Sequence, residues 1–324
     1  MKSDKSQKIS FIARVLISFS LIFLLLRQIN TAGISTLLGN IRIDFFILLL
    51  LTMILDSVVM AWRWIILLQA KEIRVPLMRI IKIYFLSTFV GIFIPSSIGA
   101  DTIRAYSLAK YTARTADSVS SIVVDRILSL FALLLFAFIG ILFFYDGIAG
   151  KSVLYLLLIL ALGFTVALLL LFNRDLARRF RTVLAGREQS WIFRSLKGLY
   201  HSIVDYRYRK RYVAQVALLA LFIQGLRIFT TFYAAMSLNL HFPLIVFFIY
   251  VPLITIITLL PVSVGGIGVQ EGAFVYFFTR VGMSSLEAFT LSALLHVIII
   301  VFALPGGVVY LIEGLSVKSE FQTE

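Results

Sequence analysis

The residues of this chain that could carry chemistry are ionisable and polar side chains set inside long apolar runs. A charged side chain within a bilayer costs about 3 kcal/mol or more unless a partner or water compensates it, so each is a candidate for binding a proton or a charged ligand. Asp56 and Arg63 fall on one face of a helix, because seven residues complete nearly two turns. Polar stripes recur in three other runs: Ser121, Asp125 and Ser129 with Arg126 beside them, Gln224 with Arg227 and Thr231, and Ser292 with His296.

Two of these charges, Asp56 and Arg227, lie near the middle of their runs. They either pair or share a polar cavity. The structural alternatives are a buried ion pair that fixes the registry of two helices and, for Arg126, a side chain that extends to the membrane surface. Because four runs carry a polar stripe, we favour a functional interior for the set as a whole.

A second kind of candidate is a chain break rich in Pro, Gly and Ser. The first break, 95–100, reads PSSIGA, and the second, 261–268, reads PVSVGGIG. We expect a helix to start near Val269 and to point backbone N–H groups at the second break, where an anion would bind. Arg104, just after the first break, suits bidentate contact with phosphate. A dinucleotide-binding loop is excluded at the second break because Glu271 stands where its last glycine belongs.

Composition excludes several classes of protein. Hydrophobic residues make up 60% of the 324 residues and charged residues 14%, whereas soluble domains carry about 25% charged residues. The absence of cysteine excludes disulfides and thiol chemistry, and the three histidines form no metal-ligand spacing. A net charge of +14 would indicate nucleic acid in a soluble protein, but here basic cytoplasmic loops account for it. We therefore expect no nucleic-acid partner and no metal.

The apolar runs predict an all-α polytopic membrane protein, because they are continuous and lack the alternation of a β-barrel. A spanning helix needs about 20 apolar residues. Six runs meet this length: 11–29, 44–68, 119–145, 152–172, 212–238 and 286–312. Two further runs, 83–100 and 243–282, are broken by Pro and Gly and are predicted to be re-entrant, within a single transmembrane domain over 1–324.

Basic clusters predict the orientation. Lys and Arg concentrate in 71–82, 104–114 and, most densely, 173–211. All three lie on the cytoplasmic side if the run 83–100 enters the membrane and returns without crossing. Both termini are then cytoplasmic in a multi-pass protein of the cell (inner, cytoplasmic) membrane.

The two breaks also resemble each other. Both 95–100 and 261–266 follow the pattern Pro, any residue, Ser, Ile or Val, Gly, small residue. In the predicted topology they enter from opposite sides, which is the plan of inverted-repeat transporters and marks the substrate site. Chance similarity between two Pro/Gly kinks is the alternative.

Three segments, 95–104, 123–126 and 261–271, resemble motifs of the lysylphosphatidylglycerol synthase transmembrane-region family, also called flippase-like, in the same order along nearly the whole chain. In the multiple peptide resistance factors, a similar membrane domain moves aminoacylated phospholipid between leaflets. Other members are linked to isoprenoid-carried sugars or hopanoid lipids. The resemblance marks five matching positions: Asp101, Arg104, Asp125, Arg126 and Glu271.

The chain departs from the family pattern at Gln270, where many members have Arg. This difference puts the headgroup preference in doubt. No aminoacyl-transfer domain follows Glu324, so we do not expect synthesis of lysyl-lipid.

We predict a lipid translocase, not an enzyme, that moves an anionic phospholipid or a polyprenyl-phosphate-linked lipid between leaflets around a polar cavity where the two broken segments meet. The predicted substrate-binding residues are Arg104, Arg126, Arg227, Gly265, Gly266 and Gly268. The predicted charge-balancing or proton-coupling residues are Asp56, Asp101, Asp125 and Glu271.

Two alternatives belong to other classes. One is a membrane enzyme or accessory factor that acts on a lipid-linked sugar or headgroup, although the loop 173–211 is basic where such enzymes place acidic residues. The other is a scaffold that binds anionic lipid. We expect no cofactor, a membrane lipid as substrate, and a lipid-modifying or cell-envelope enzyme as partner.

Overall fold

The computed structural model describes residues 20, 22–27, 33–93, 99–143, 158–159, 161–165, 191–259 and 262–320. Every regular element within these residues is a helix, which confirms the all-α class. The α-helices are α1 Ile34–Gly39, α2 Ile43–Ala70, α3 Leu77–Phe93, α4 Gly99–Thr112, α5 Thr115–Phe143, α6 Trp191–Asp205, α7 Lys210–Ser237, α8 Leu244–Thr258, α9 Val269–Phe278 and α10 Ser285–Glu320. Short 3-10 turns follow α6 at Tyr206–Tyr208 and α9 at Thr279–Val281.

Four of the described helices are long and apolar enough to cross a membrane. They are Ile43–Ala70, Thr115–Gly140, Lys210–Ser237 and Ser285–Ile312, at the predicted runs 44–68, 119–145, 212–238 and 286–312. Only 11% of the most apolar stretch of Ile43–Ala70 is buried within the protein. An apolar surface of that length requires lipid around it. The predicted polytopic membrane protein is therefore confirmed.

The other two predicted spans lie mostly outside the described residues. Within 11–29, residues 22–27 are helical, and within 152–172, residues 161–165 are helical. Six crossings, the re-entrant segments and the cytoplasmic termini stay predictions.

Local sequence signals set several helix ends. At the start of α10, Ser284 and Glu287 form a reciprocal capping box: each side chain accepts the backbone N–H of the other residue, at 3.2 Å and 2.8 Å. The preceding 3-10 turn ends at Gly282, whose φ of +91° suits glycine. Asn239 ends α7 in the left-handed region, with φ +61°.

The described residues divide into two compact units. The first contains residues 1–56, 81–104 and 226–324. Its buried centre is aromatic: the ring of Phe278 lies 5.3 Å from that of Phe247, 5.5 Å from that of Tyr250 and 5.4 Å from that of Phe274. Contacts between large rings bury much apolar area, so they hold α8 firmly against α9.

The second unit contains residues 57–80 and 105–225. Its core brings together the end of α2, the first half of α5, α6 with its following turn, and the start of α7. Seven buried residues form it: Ile66, Leu67, Ala70, Val124, Ile203, Tyr206 and Val216.

Candidate functional site

The second chain break forms a tight glycine turn in the first unit. Gly265, Gly266 and Gly268 have φ values of +59°, +81° and +83°, in the region that residues with a Cβ disfavour. A Cβ built on Gly266 would lie 3.9 Å from the Cβ of Thr258, so backbone conformation rather than crowding requires glycine there. The turn leads into α9, which starts at Val269 as the sequence predicted.

The first chain break falls largely at residues 94–98, outside the described residues, but the helices on both sides are described. A Cβ built on Gly91 of α3 would lie 2.8 Å from the Cβ of Ala100 in α4. The two helices therefore approach closely beside the break, and only glycine permits this approach. A segment that enters the membrane and returns needs such a contact.

The two broken segments come together. A Cβ built on Gly265 would lie 3.8 Å from the carbonyl oxygen of Ile92, near the end of α3. This contact confirms the prediction that the segments meet. A polar cavity around them, and its position at the membrane midplane, stay predictions.

Glu271 caps the helix that follows the glycine turn. Its Oε2 accepts the backbone N–H of Gly268 at 2.6 Å, as a glutamate three residues into a helix often does. The N–H of Gln270 donates to the carbonyl oxygen of Gly266 at 2.9 Å. Two of the amide groups that the sequence offered to an anion are therefore occupied by the protein's own oxygens.

The last helix contributes two polar side chains to this turn. Nδ1 of His296 lies 2.5 Å from Oε1 of Glu271, and its Nε2 lies 3.4 Å from the carbonyl oxygen of Gly265. Nε2 of Gln270 donates to the hydroxyl of Ser292 at 3.3 Å. The sequence marked Ser292 and His296 as a stripe on one helix, but it did not indicate that the stripe faces Gln270 and Glu271.

Arg104 is buried beside the first break. Its Nη1 lies 3.4 Å from Oδ1 of Asp101, one turn earlier in α4, and the two side chains are 6% and 11% exposed. Both belong to the first unit. The structure therefore brings Asp101 next to Arg104, and its predicted charge-balancing role stays a prediction.

Asp56 and Arg227 form the pair that the sequence predicted. Nε of Arg227 lies 3.2 Å from Oδ1 of Asp56, and the hydroxyl of Thr230 donates to that of Thr52 at 3.0 Å. The aspartate side chain is 15% exposed and that of the arginine 44%. The pairing is confirmed, and much of the arginine side chain remains exposed.

Arg63 pairs with a carboxylate that sequence reasoning did not assign to it. Its Nε lies 2.8 Å from Oδ1 of Asp125 in the second unit, and the two side chains are 3% and 5% exposed. Beside them, Nε1 of Trp64 donates to the buried hydroxyl of Ser121 at 3.2 Å. The only sequence signal for this pair was the presence of both charges within apolar runs.

Arg126 follows Asp125 and is half-buried in the second unit. The structure places Arg104, Arg227 and the glycine turn in the first unit, and Arg126 in the second. A shared substrate site for the three arginines stays a prediction.

A polar cluster in the second unit was also missed. Asp117, at the start of α5, accepts from Arg114 at 2.7 Å and from the hydroxyl of Ser202 at 2.6 Å, and it lies 3.5 Å from Nζ of Lys71. Nearby, the hydroxyl of Tyr206 donates to the carbonyl oxygen of Leu67 at 3.1 Å. Burial, with a smaller contribution from the charge of Asp117, raises the pKa of Tyr206 well above its usual range. Nζ of Lys71 also lies 3.2 Å from Oδ2 of Asp205, so the two cations are balanced by two carboxylates and we regard the cluster as structural.

Among the described residues, no group of three or more His, Asp or Glu side chains is arranged to hold a metal ion. A family model described as "Lysylphosphatidylglycerol synthase TM region" matches residues 11–307. This range includes both chain breaks and every charged pair described above. No curated protein and no solved structure matches the chain.

Proposed function

We propose that this chain, which belongs to the family of the lysylphosphatidylglycerol synthase TM region, is a lipid translocase. Its substrate would be an anionic phospholipid or a polyprenyl-phosphate-linked lipid that moves between the leaflets. The headgroup would pass along polar side chains of the protein while the acyl or prenyl chains stay in the bilayer.

The pair of Arg227 and Asp56 carries this proposal. Asp56 lies at the middle of α2 and Arg227 in the middle third of α7, two helices long enough to span. The arginine side chain is 44% exposed although its Nε lies against Asp56, so part of a charged side chain lies at the surface of a candidate span. Because an exposed charge inside a bilayer is costly, its position indicates a path for a polar, anionic group.

Arg104 would extend this path. A phosphate bound by arginine gains two parallel hydrogen bonds from the planar guanidinium, which lysine does not supply. Arg104 lies beside the first break, where the chain approaches the glycine turn through Ile92 and Gly265. We assign the phosphate contacts to the arginines and give Gly265, Gly266 and Gly268 the role of a backbone hinge, because two of the turn's amide groups are already bonded.

The carboxylates would balance these charges when no substrate is bound. Asp101 lies beside Arg104, and Asp56 lies beside Arg227. An arginine that is paired in this way stays in the membrane at lower cost and exchanges its carboxylate for a phosphate when the lipid arrives.

The test is translocation of fluorescent phosphatidylglycerol, and of a fluorescent polyprenyl phosphate, by purified protein in liposomes. We expect the wild type to equilibrate one of these lipids between leaflets. Arg227→Ala should reduce the rate about ten- to hundred-fold, since a hydrogen bond to a charged group contributes about 1.5–3 kcal/mol. Arg227→Lys should recover only part of the rate.

Arg42→Ala is the matched control. Arg42 pairs with Asp44 at 2.6 Å and its side chain is 42% exposed, but it lies just before the start of α2 rather than within a span. We expect its rate to equal that of the wild type. Failure of the wild type to move either lipid would overturn the proposal; chemical change of a headgroup would then indicate the enzyme, and tight lipid retention without movement the scaffold.

A further inference from the structure

His296 lies between two oxygen acceptors in the first unit. Its Nδ1 is 2.5 Å from Oε1 of Glu271, and its Nε2 is 3.4 Å from the carbonyl oxygen of Gly265. The other carboxylate oxygen of Glu271 accepts the N–H of Gly268 at 2.6 Å. The two side chains therefore bridge the glycine turn from Gly265 to Gly268.

The number of hydrogens that this arrangement holds follows from its donors and acceptors. A carbonyl oxygen only accepts, so Nε2 must carry a hydrogen to bond to Gly265. A second hydrogen must lie between Nδ1 and Oε1, because otherwise two lone pairs would face each other at 2.5 Å. The count is the same whether this hydrogen belongs to the ring or to the carboxyl group. In both cases the net charge of the pair is zero.

We propose that Glu271 and His296 form a proton-binding site, and that the bound proton holds the Gly265–Gly268 turn closed. Loss of the proton leaves a net charge of −1 on side chains that are only 4% and 15% exposed. The one ring hydrogen that remains moves to Nδ1 and bonds to the carboxylate of Glu271. The bare Nε2 then faces the carbonyl oxygen of Gly265 and releases it, while Glu271 keeps its bond to Gly268. Proton exchange thereby changes the turn at which the two broken segments meet.

The elements that pack against α10 carry several charged and titratable residues. Of these, Glu271 contacts the imidazole ring of His296. Helices α9 and α1 pack against α10, α8 packs against α9, and α3 contacts α10 through the rings of Phe85 and Phe302 at 5.7 Å. Arg280 lies over the ring of Tyr276, 3.8 Å from its centre, and α1 has no titratable residue. Besides Glu271, these elements of the first unit carry Lys82, Tyr84, Tyr250, Tyr276 and Arg280.

The consequence for transport rests on the proposed translocase function. If the turn opens and closes with one proton per lipid, a proton gradient drives the lipid in one direction. A difference of one pH unit then gives about a tenfold lipid asymmetry at equilibrium, because each pH unit is a tenfold ratio of proton activity.

The proton site is tested without any transport assay. Of the three histidines, His201 and His241 are exposed, so His201→Gln/His241→Gln leaves His296 as the only imidazole. Ring nitrogen NMR of this variant in nanodiscs should show one protonation step of His296 between about pH 5 and pH 9. Glu271→Gln on this background should abolish the step or move it by about one pH unit or more. Absence of the step, or an unchanged step in Glu271→Gln, overturns the proton site.

The coupling is tested in liposomes with the membrane potential clamped at zero. We expect a gradient of one pH unit to give the tenfold asymmetry in wild type, in His201→Gln and in His241→Gln, and none in His296→Gln or Glu271→Gln. Lipid movement that ignores the gradient in wild type overturns the coupling and leaves the translocase proposal standing. No lipid movement under any condition overturns the translocase, while the NMR experiment still decides the proton site.

Discussion

Arg63 and Arg227 are both arginines within candidate spans, and each pairs with an aspartate, yet the two pairs differ in separation and in exposure. Arg63 and Asp125 approach to 2.8 Å and are almost fully buried. Arg227 and Asp56 lie 3.2 Å apart, and the arginine remains 44% exposed. A buried pair that joins two helices fixes their packing, unlike the pair of Arg104 and Asp101 within the single helix α4. The pair of Arg227 and Asp56 leaves much of its arginine side chain exposed, where an anion can reach it. The same two residue types therefore fit a structural role in one unit and a substrate-binding role in the other.

The largest expected effect on stability comes from a mutation that breaks the buried pair of Arg63 and Asp125. Arg63→Ala leaves Asp125 buried without its cation and should lower the free energy of unfolding by about 3–5 kcal/mol. The double variant Arg63→Met/Asp125→Leu removes both charges and should be more stable than either single variant. Thermal denaturation in nanodiscs compares wild type with Arg63→Ala, Arg63→Met, Asp125→Leu and the double variant. A single variant as stable as wild type would show that the pair contributes nothing to packing.

For the pair of Arg227 and Asp56, we expect mutation to lower stability little and the translocation rate strongly. Arg227→Ala should lower the free energy of unfolding by only about 1 kcal/mol or less, because the arginine is largely exposed, while the translocation rate falls as described. In Asp56→Ala/Arg227→Ala, stability should recover relative to Arg227→Ala, but translocation should not, since the arginine is still missing. Equal recovery of both quantities would assign Arg227 a purely structural role.

A third prediction tests whether the Gly265–Gly268 turn of the first unit is needed for translocation. Gly266→Leu forces a residue with a Cβ into φ +81° and should cost about 1–2 kcal/mol of stability or distort the turn. Translocation should fall with it. Gly272→Leu is the control, because a Cβ at Gly272 meets nothing within 4 Å and its helical φ is ordinary. If both variants move lipid at the same rate, the turn is not a hinge.

The smallest expected effect on stability comes from mutation of Tyr206 in the core of the second unit. Tyr206→Phe loses the hydrogen bond to Leu67 and should cost about 1 kcal/mol near neutral pH. Because the folded pKa of this phenol is raised, its contribution is fully present below the unfolded value of 10.0 and is lost as the pH rises above it. The stability difference between wild type and variant, measured by chemical denaturation, should therefore shrink above about pH 10. A constant difference would contradict the raised pKa.

Some contacts of the candidate site could be predicted from the sequence, and others could not. The glycines of the second break predicted the start of α9 at Val269, since both the turn and the helix start depend on neighbouring residues. The pairing of Asp56 with Arg227 followed from matching depths in two apolar runs. The partner of Arg63 did not, because Asp56 lies on the same face of the same helix and offered a nearer carboxylate along the chain. Which neighbour that face meets at each level depends on how the helices pack.

The sequence by itself determined that this is a helical membrane protein with two glycine-containing breaks, because apolar length, glycine and proline act locally and lipid admits few alternatives. Only the tertiary structure decided which charges meet. Glu271 and His296 stand 25 residues apart on separate helices, and Arg63 and Asp125 lie on α2 and α5. Contacts of this kind depend on helix rotation and approach within a few ångströms, and no local pattern of residues specifies either quantity.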